Sequence, residues 1–144
     1  MKTIVLGFAL IGILGGAQAG EKEDATQLVN DAVAAVTKDK AAGTHEIGNA
    51  KGRFIKGEIY VFAYDLAGTM VAHPLNPKLV GKNLLDVPDA GGKMFRQEII
   101  DGVKRAGVVT VDYQYKNPKS GAIENKVTYC KKAVELAVCA GYYK

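Results

Sequence analysis

Residues 58–64, Glu-Ile-Tyr-Val-Phe-Ala-Tyr, constrain this chain more than any other stretch. β-branched and aromatic side chains crowd these positions, which suits a buried strand. Directly behind it, Asp65-Leu66-Ala67-Gly68 places a glycine at the left-handed position of a three-residue hairpin loop. Thr69–His73 reads as the return strand, ended by Pro74. A strand answered at once by its neighbour commits the chain to an antiparallel sheet.

The flanking sequence supplies the other elements. From Asp24 to about Lys40, Ala25, Leu28, Val29, Ala32, Val33 and Val36 recur at helical spacing. Asp24 with Gln27 resembles a capping box, and Gly43 reads as the stop. Thr44–Gly52 is polar and reads as a connector. After the hairpin, Leu75–Gly92 reads as a long structured loop, a type of segment that tends to carry function. Met94–Arg105 predicts a second helix with Phe95, Ile99 and Val103 on one face and Gly107 at its end. Val108–Tyr115, Ile123–Lys131 and Leu136–Tyr142 predict three more strands, the first two joined by a turn at Asn117–Gly121. The order α-β-β-α-β-β-β is that of an α+β domain with an antiparallel sheet of about five strands.

The first residues read as a secretory signal peptide. Lys2 precedes an uncharged apolar run from Ile4 to Leu14, and Ala17-Gln18-Ala19 is a small-x-small cleavage site before Gly20. The run is short for a membrane span, which needs about 20 residues. Residues 1–19 are thus read as a leader and 20–144 as one domain. With 19 Lys+Arg against 15 Asp+Glu the chain is mildly basic, but its lysines are scattered rather than striped with aromatics, which argues against nucleic acid. No His-x-x-x-His, His-Glu-x-x-His or Gly-x-Ser-x-Gly pattern occurs, so neither a metal-dependent hydrolase nor a serine nucleophile is indicated. No cofactor is expected. The two cysteines, Cys130 and Cys139, are equidistant from Val134-Glu135. If that pair turns a hairpin, the cysteines face each other, and an exported chain permits a disulfide. Two buried, unpaired thiols are the alternative.

Three stretches carry a family resemblance when taken in order: "GRFIKGEIYVFAYDLAGTMVAHPLNPKLVGKNLLDVPDAGGK", "VDYQYKNPKSG" and "KVTYCKKAVELAVCAGYYK". The succession of Tyr-Asp-x-x-Gly, Ala-His-Pro and Val-Gly-Lys-Asn-Leu resembles the single Cache domain family of bacterial extracytoplasmic sensors. The resemblance implies a PAS-like antiparallel sheet with a long N-terminal helix across one face. The other face and the Leu75–Gly92 loop would then enclose a small-molecule pocket. It also implies a periplasmic or secreted sensory module, not an enzyme, serving signal transduction such as chemotaxis. Because members normally feed a chemoreceptor or kinase and the sequence given ends at Lys144, a free-standing member handing its signal to a membrane partner is expected. A structural or interaction module of the cell envelope without a ligand is the alternative.

A pocket for a small acid needs a cation or hydrogen-bond donors for the oxygens and apolar walls for the carbon part. His73 in Ala-His-Pro heads the candidates, against a histidine merely bonded to the loop backbone. Arg96 offers a bidentate contact, with a solvated helix flank as its ordinary alternative. Tyr113 and Tyr129 offer hydroxyls. Lys126 offers charge, although an exposed strand lysine is its default reading. Phe62 and Tyr64 complete the set as walls, with plain core roles as their alternative. Strand alternation groups Tyr60, Phe62 and Tyr64; Tyr113 and Tyr115; and Lys126, Thr128 and Cys130, but does not say which face is the pocket.

Overall fold

The computed structural model describes residues 16–144, with side chains from Gly20 onward. The leader read over residues 1–19 lies outside the described residues, except that the backbone of its last four positions opens the first helix. Among the described residues no helix is long and apolar enough to cross a membrane.

Helix α1 (Gly16–Lys38) is followed at once by α2 (Lys40–Ile47), where the sequence pattern suggested one helix and a connector. Asp39 makes the break: its backbone is extended, and its carboxylate accepts the Ala42 N–H at 3.0 Å, which caps α2. Gly43 is no stop signal. A Cβ there would lie 2.6 Å from the Val36 nitrogen, so glycine is what lets α2 fold back against α1. Nor does Asp24 cap a helix; it lies inside α1 and pairs with Lys56 at 2.7 Å.

Strands β1 (Ile55–Lys56), β2 (Ile59–Asp65), β3 (Met70–Ala72), β4 (Val108–Lys116), β5 (Ile123–Ala133) and β6 (Leu136–Tyr143) form one antiparallel sheet in the order β1-β2-β6-β5-β4, with β3 also on β2. The sheet thus has six strands, the additional one being the two-residue β1. Between β3 and β4 run a short 3-10 turn (Pro77–Leu79) and helix α3 (Phe95–Ala106), which stops at Gly107 in the left-handed region with φ 78°.

β2 is buried along both faces and sends alternate side chains each way. Val61 and Ala63, with Val138 and Ala140 of β6, pack under Ala25, Val29, Ala32 and Val36 of α1 and Ile47 of α2. Tyr60, Phe62 and Tyr64 face the other side, where Phe95, Ile99, Ile100 and Val103 of α3 and Leu84 of the loop close over them.

The loop after β3 is fastened at both edges of the sheet. At the β3 edge, Met70 N–H donates to the Lys82 carbonyl and Gly81 N–H to the Met70 carbonyl, at 3.0 and 2.9 Å. At the β4 edge, the Gln114 N–H donates to the Asp89 carboxylate at 2.8 Å and Lys93 Nζ to the Asp112 carbonyl at 2.6 Å. Between these anchors the loop crosses the aromatic face, and the space beneath it becomes a closed site.

Candidate functional site

The aromatic face is a trough. Its floor is β6, whose residues on this side, Ala137, Cys139 and Gly141, are small. One wall is Tyr60, Phe62 and Tyr64 of β2, and the other is Tyr113 and Tyr115 of β4. Met70, His73 and Lys126 complete the lining. The space is a seam that does not admit a water-sized sphere. Cys130 and Cys139, paired across β5 and β6, are joined by a disulfide on this same face. A Cβ at Gly141 would come 2.2 Å from Thr128 Oγ1 and 2.9 Å from Lys126 Cε, so the bare glycine is what lets the lysine stem pass.

Lys126 is 1 % exposed. Its Nζ donates to the Tyr60 hydroxyl at 3.0 Å and lies 4.2 Å from the Tyr60 ring centre, with Phe62, Tyr115 and Tyr143 between 5.1 and 5.3 Å. Ring faces favour a cation, but they do not replace lost water. Burial pulls the Lys126 pKa down from 10.5 to about 7. Among the described residues no carboxylate pairs with it. The Tyr143 hydroxyl is buried without a hydrogen-bond partner.

Arg96, on the first turn of α3, is also buried. Its Nε donates to the Tyr64 hydroxyl and its Nη1 to the Val87 carbonyl, both at 3.1 Å, so it braces the loop against the β2 wall. Burial pushes the Tyr64 pKa up to about 12, while Arg96 opposes the rise. His73 accepts the Leu75 and Asn76 N–H groups on Nδ1 at 3.2 and 2.9 Å. That leaves the proton on Nε2. Its ring stacks on Phe62 and tilts against Tyr60. Burial, then the nearby Lys126 and Arg96 charges, lower its pKa to about 4, so the ring is neutral at ordinary pH. Tyr113 exchanges a hydrogen bond with Thr128 Oγ1 at 2.9 Å and stacks on Phe95.

The structure brings His73, Lys126, Tyr113, Phe62 and Tyr64 to one space and sets Arg96 behind Tyr64. His73 has Nδ1 tied to the loop backbone while its ring lines the same space. Lys126 departs from its default reading as an exposed strand lysine. Tyr129 is not part of this space. It packs on the opposite face, against the α1 cluster, because it is one residue out of phase with Lys126 and Thr128. The sequence reading left out Tyr60, Met70, Tyr115 and Tyr143. For Tyr60 and Tyr115 the signal was present, since they alternate with Phe62, Tyr64 and Tyr113. Among the described residues no cluster of His, Cys, Asp or Glu is arranged to hold a metal ion.

Similar architectures occur in known sensor domains. A methyl-accepting chemotaxis protein from Vibrio parahaemolyticus aligns at 23% identity over 88% of this chain and 90% of its own, with a TM-score of 0.73. A periplasmic sensor domain of a chemotaxis protein aligns at 27% identity over 91% and 97%, with a TM-score of 0.71. A Cache chemosensory domain described for its carboxylic acid recognition aligns at 22% identity over 92% and 99%, with a TM-score of 0.75. No curated protein sequence matches the chain. The family model for Single Cache domain 2 matches residues 17–139, which takes in the helical layer, the loop and all of the trough but the end of β6. The chain belongs to the single Cache domain 2 family.

Proposed function

We propose that this chain is an exported sensory module that binds a small carboxylate in the trough and passes the event to a membrane partner, without catalysing a reaction. The observation that carries the reading is Lys126, a buried amine with no anionic side chain paired to it among the described residues. An ammonium kept dry and unpaired is costly, and an incoming carboxylate supplies the missing charge. The Tyr60 hydroxyl is next to the lysine, and the aromatic walls suit a short carbon chain. The Cache domain described for carboxylic acid recognition lends the same chemistry by likeness of fold. Export rests on the leader read over residues 1–19. The narrowness of the seam favours the second reading, an envelope module that takes no ligand.

Thermal unfolding of the purified protein with acetate, propionate and butyrate, each against its neutral amide, separates the two. A carboxylate at 100 times its dissociation constant stabilises by about 2.7 kcal/mol. Acid and amide should differ sharply, and Lys126→Met should abolish the difference. Because Lys126 loses its proton near pH 7, affinity should fall as pH rises through and above that value. Equal, null responses to acid and amide would remove the ligand reading.

A further inference from the structure

His73 faces three spaces at once. It lines the inner trough; a cleft formed with Leu75, Asn76 and the Tyr115–Gly121 segment; and a groove between α2 and the 3-10 turn. Among the described residues no other borders all three, and only Tyr115 is shared with it between trough and cleft. The cleft is open to solvent and offers about 340 Å³, whereas the inner seam has no room for a water-sized sphere. One imidazole thus stands between a closed seam and a much larger space open to solvent.

Its mounting suits a partition. Two backbone N–H groups hold Nδ1, and the ring leans on Phe62 and Tyr60. The inner seam does not admit a water-sized sphere, so any solute must displace a lining side chain to enter. The walls of β2 and β4 are backed by the sheet, and Lys126 is rooted in β5. His73 instead sits beyond the end of β3, on the segment that leads into the loop. The cleft side carries Asn76, Lys116 and Asn117, with the Glu124 carboxylate held by the Asn117 amide at 2.9 Å, so a cation and an anion both stand near its mouth.

We propose that His73 is the partition that sets the length of the ligand, closing the trough behind a short carboxylate and separating it from the outer cleft. The inference rests on the carboxylate reading, and it adds a determinant of specificity and a point of entry. A ligand anchored at Lys126 extends until it meets the imidazole. With the ring gone, inner and outer spaces join, and longer chains are accommodated.

The informative variant is His73→Asn. Its side-chain oxygen can still accept the Leu75 and Asn76 N–H groups in an Asx-type turn, while the far half of the ring is gone. His73→Ala is the second variant. With acetate, butyrate and hexanoate as probes, the ratio of hexanoate to acetate affinity should rise at least about tenfold in both, the scale of one or two methylenes admitted to an apolar pocket. A uniform loss across the series, with the ratio unchanged, overturns the proposal. A second measurement needs no ligand: with Met70→Cys as a reporter inside the trough, a bulky thiol reagent should modify Cys at position 70 much faster when His73 is replaced by Asn. Equal rates with and without the ring overturn the partition even if carboxylates bind. Should none of the three acids bind the unaltered protein, the carboxylate reading fails, and the reporter rates still decide whether His73 closes the trough.

Discussion

The two faces of this sheet are assembled on different terms. Against α1 and α2, the sheet presents Val61, Ala63, Val138 and Ala140, and the helices answer with Ala25, Val29, Ala32 and Val36. That side is hydrophobic burial with little else. Under α3 and the loop, the same strands present aromatic rings, and among them lie a buried ammonium, a guanidinium and an imidazole. The helical face gains free energy from nearly every contact, whereas the trough spends part of its gain on keeping cations out of water. Alternation along β2 and β5 lets single strands serve both sides. The contrast teaches that the helical layer carries the stability against which the trough can hold unfavourable chemistry.

Substitutions can test that contrast. Ile47→Ala, at a fully buried position under α2, should cost about 2–5 kcal/mol and lower the urea midpoint at unchanged slope. A loss below about 1 kcal/mol would mean the helical layer is not where stability resides. Lys126→Met should move the other way, gaining about 1 kcal/mol or more at neutral pH because it removes a buried charge while keeping volume. The pH signature sharpens this. Lys126 has its folded pKa near 7 and its unfolded pKa at 10.5, so the unfolded chain binds more protons between those values and stability rises with pH across that window. The Met variant should lack that rise, and a variant that keeps it would place the titration elsewhere. Smallest of all, Asp24→Asn should cost no more than about 1 kcal/mol, since its pair with Lys56 is well exposed to solvent. A larger loss would show that the helical face depends on charge after all.

Five of the six strands were legible as β-forming runs ended by turn signals, β2 being the clearest case, whereas the two-residue β1 was too short to carry such a pattern. The joint between α1 and α2 was not. Gly43 looks alike in sequence whether it ends a helix or admits a neighbour, and only the packing on Val36 separates the two. Asp39 carried a local capping signal that the continuous helical pattern hid. For the site, alternation grouped the right side chains but left the faces unlabelled, since a face is fixed by which strands pair and which layer covers them. Hence Tyr129 and Lys126 both stand among the candidates although alternation sets them on opposite sides of β5, and the structure puts Tyr129 against the helical layer. A lone strand lysine looks solvated until its cross-strand partner Tyr113 is known, and that pairing spans the turn between β4 and β5.

The loop that roofs the trough has a consequence beyond binding. An outer strand such as β4 exposes backbone donors and acceptors that would otherwise template the addition of another chain. Here Asp89 and Lys93 occupy the Gln114 N–H and the Asp112 carbonyl at mid-strand, while Gly81 and Lys82 occupy Met70 on the opposite border. One segment therefore closes the binding space and denies both margins of the sheet to foreign strands. Loosening it would then open the sheet's margins to self-association as well as the trough to solvent.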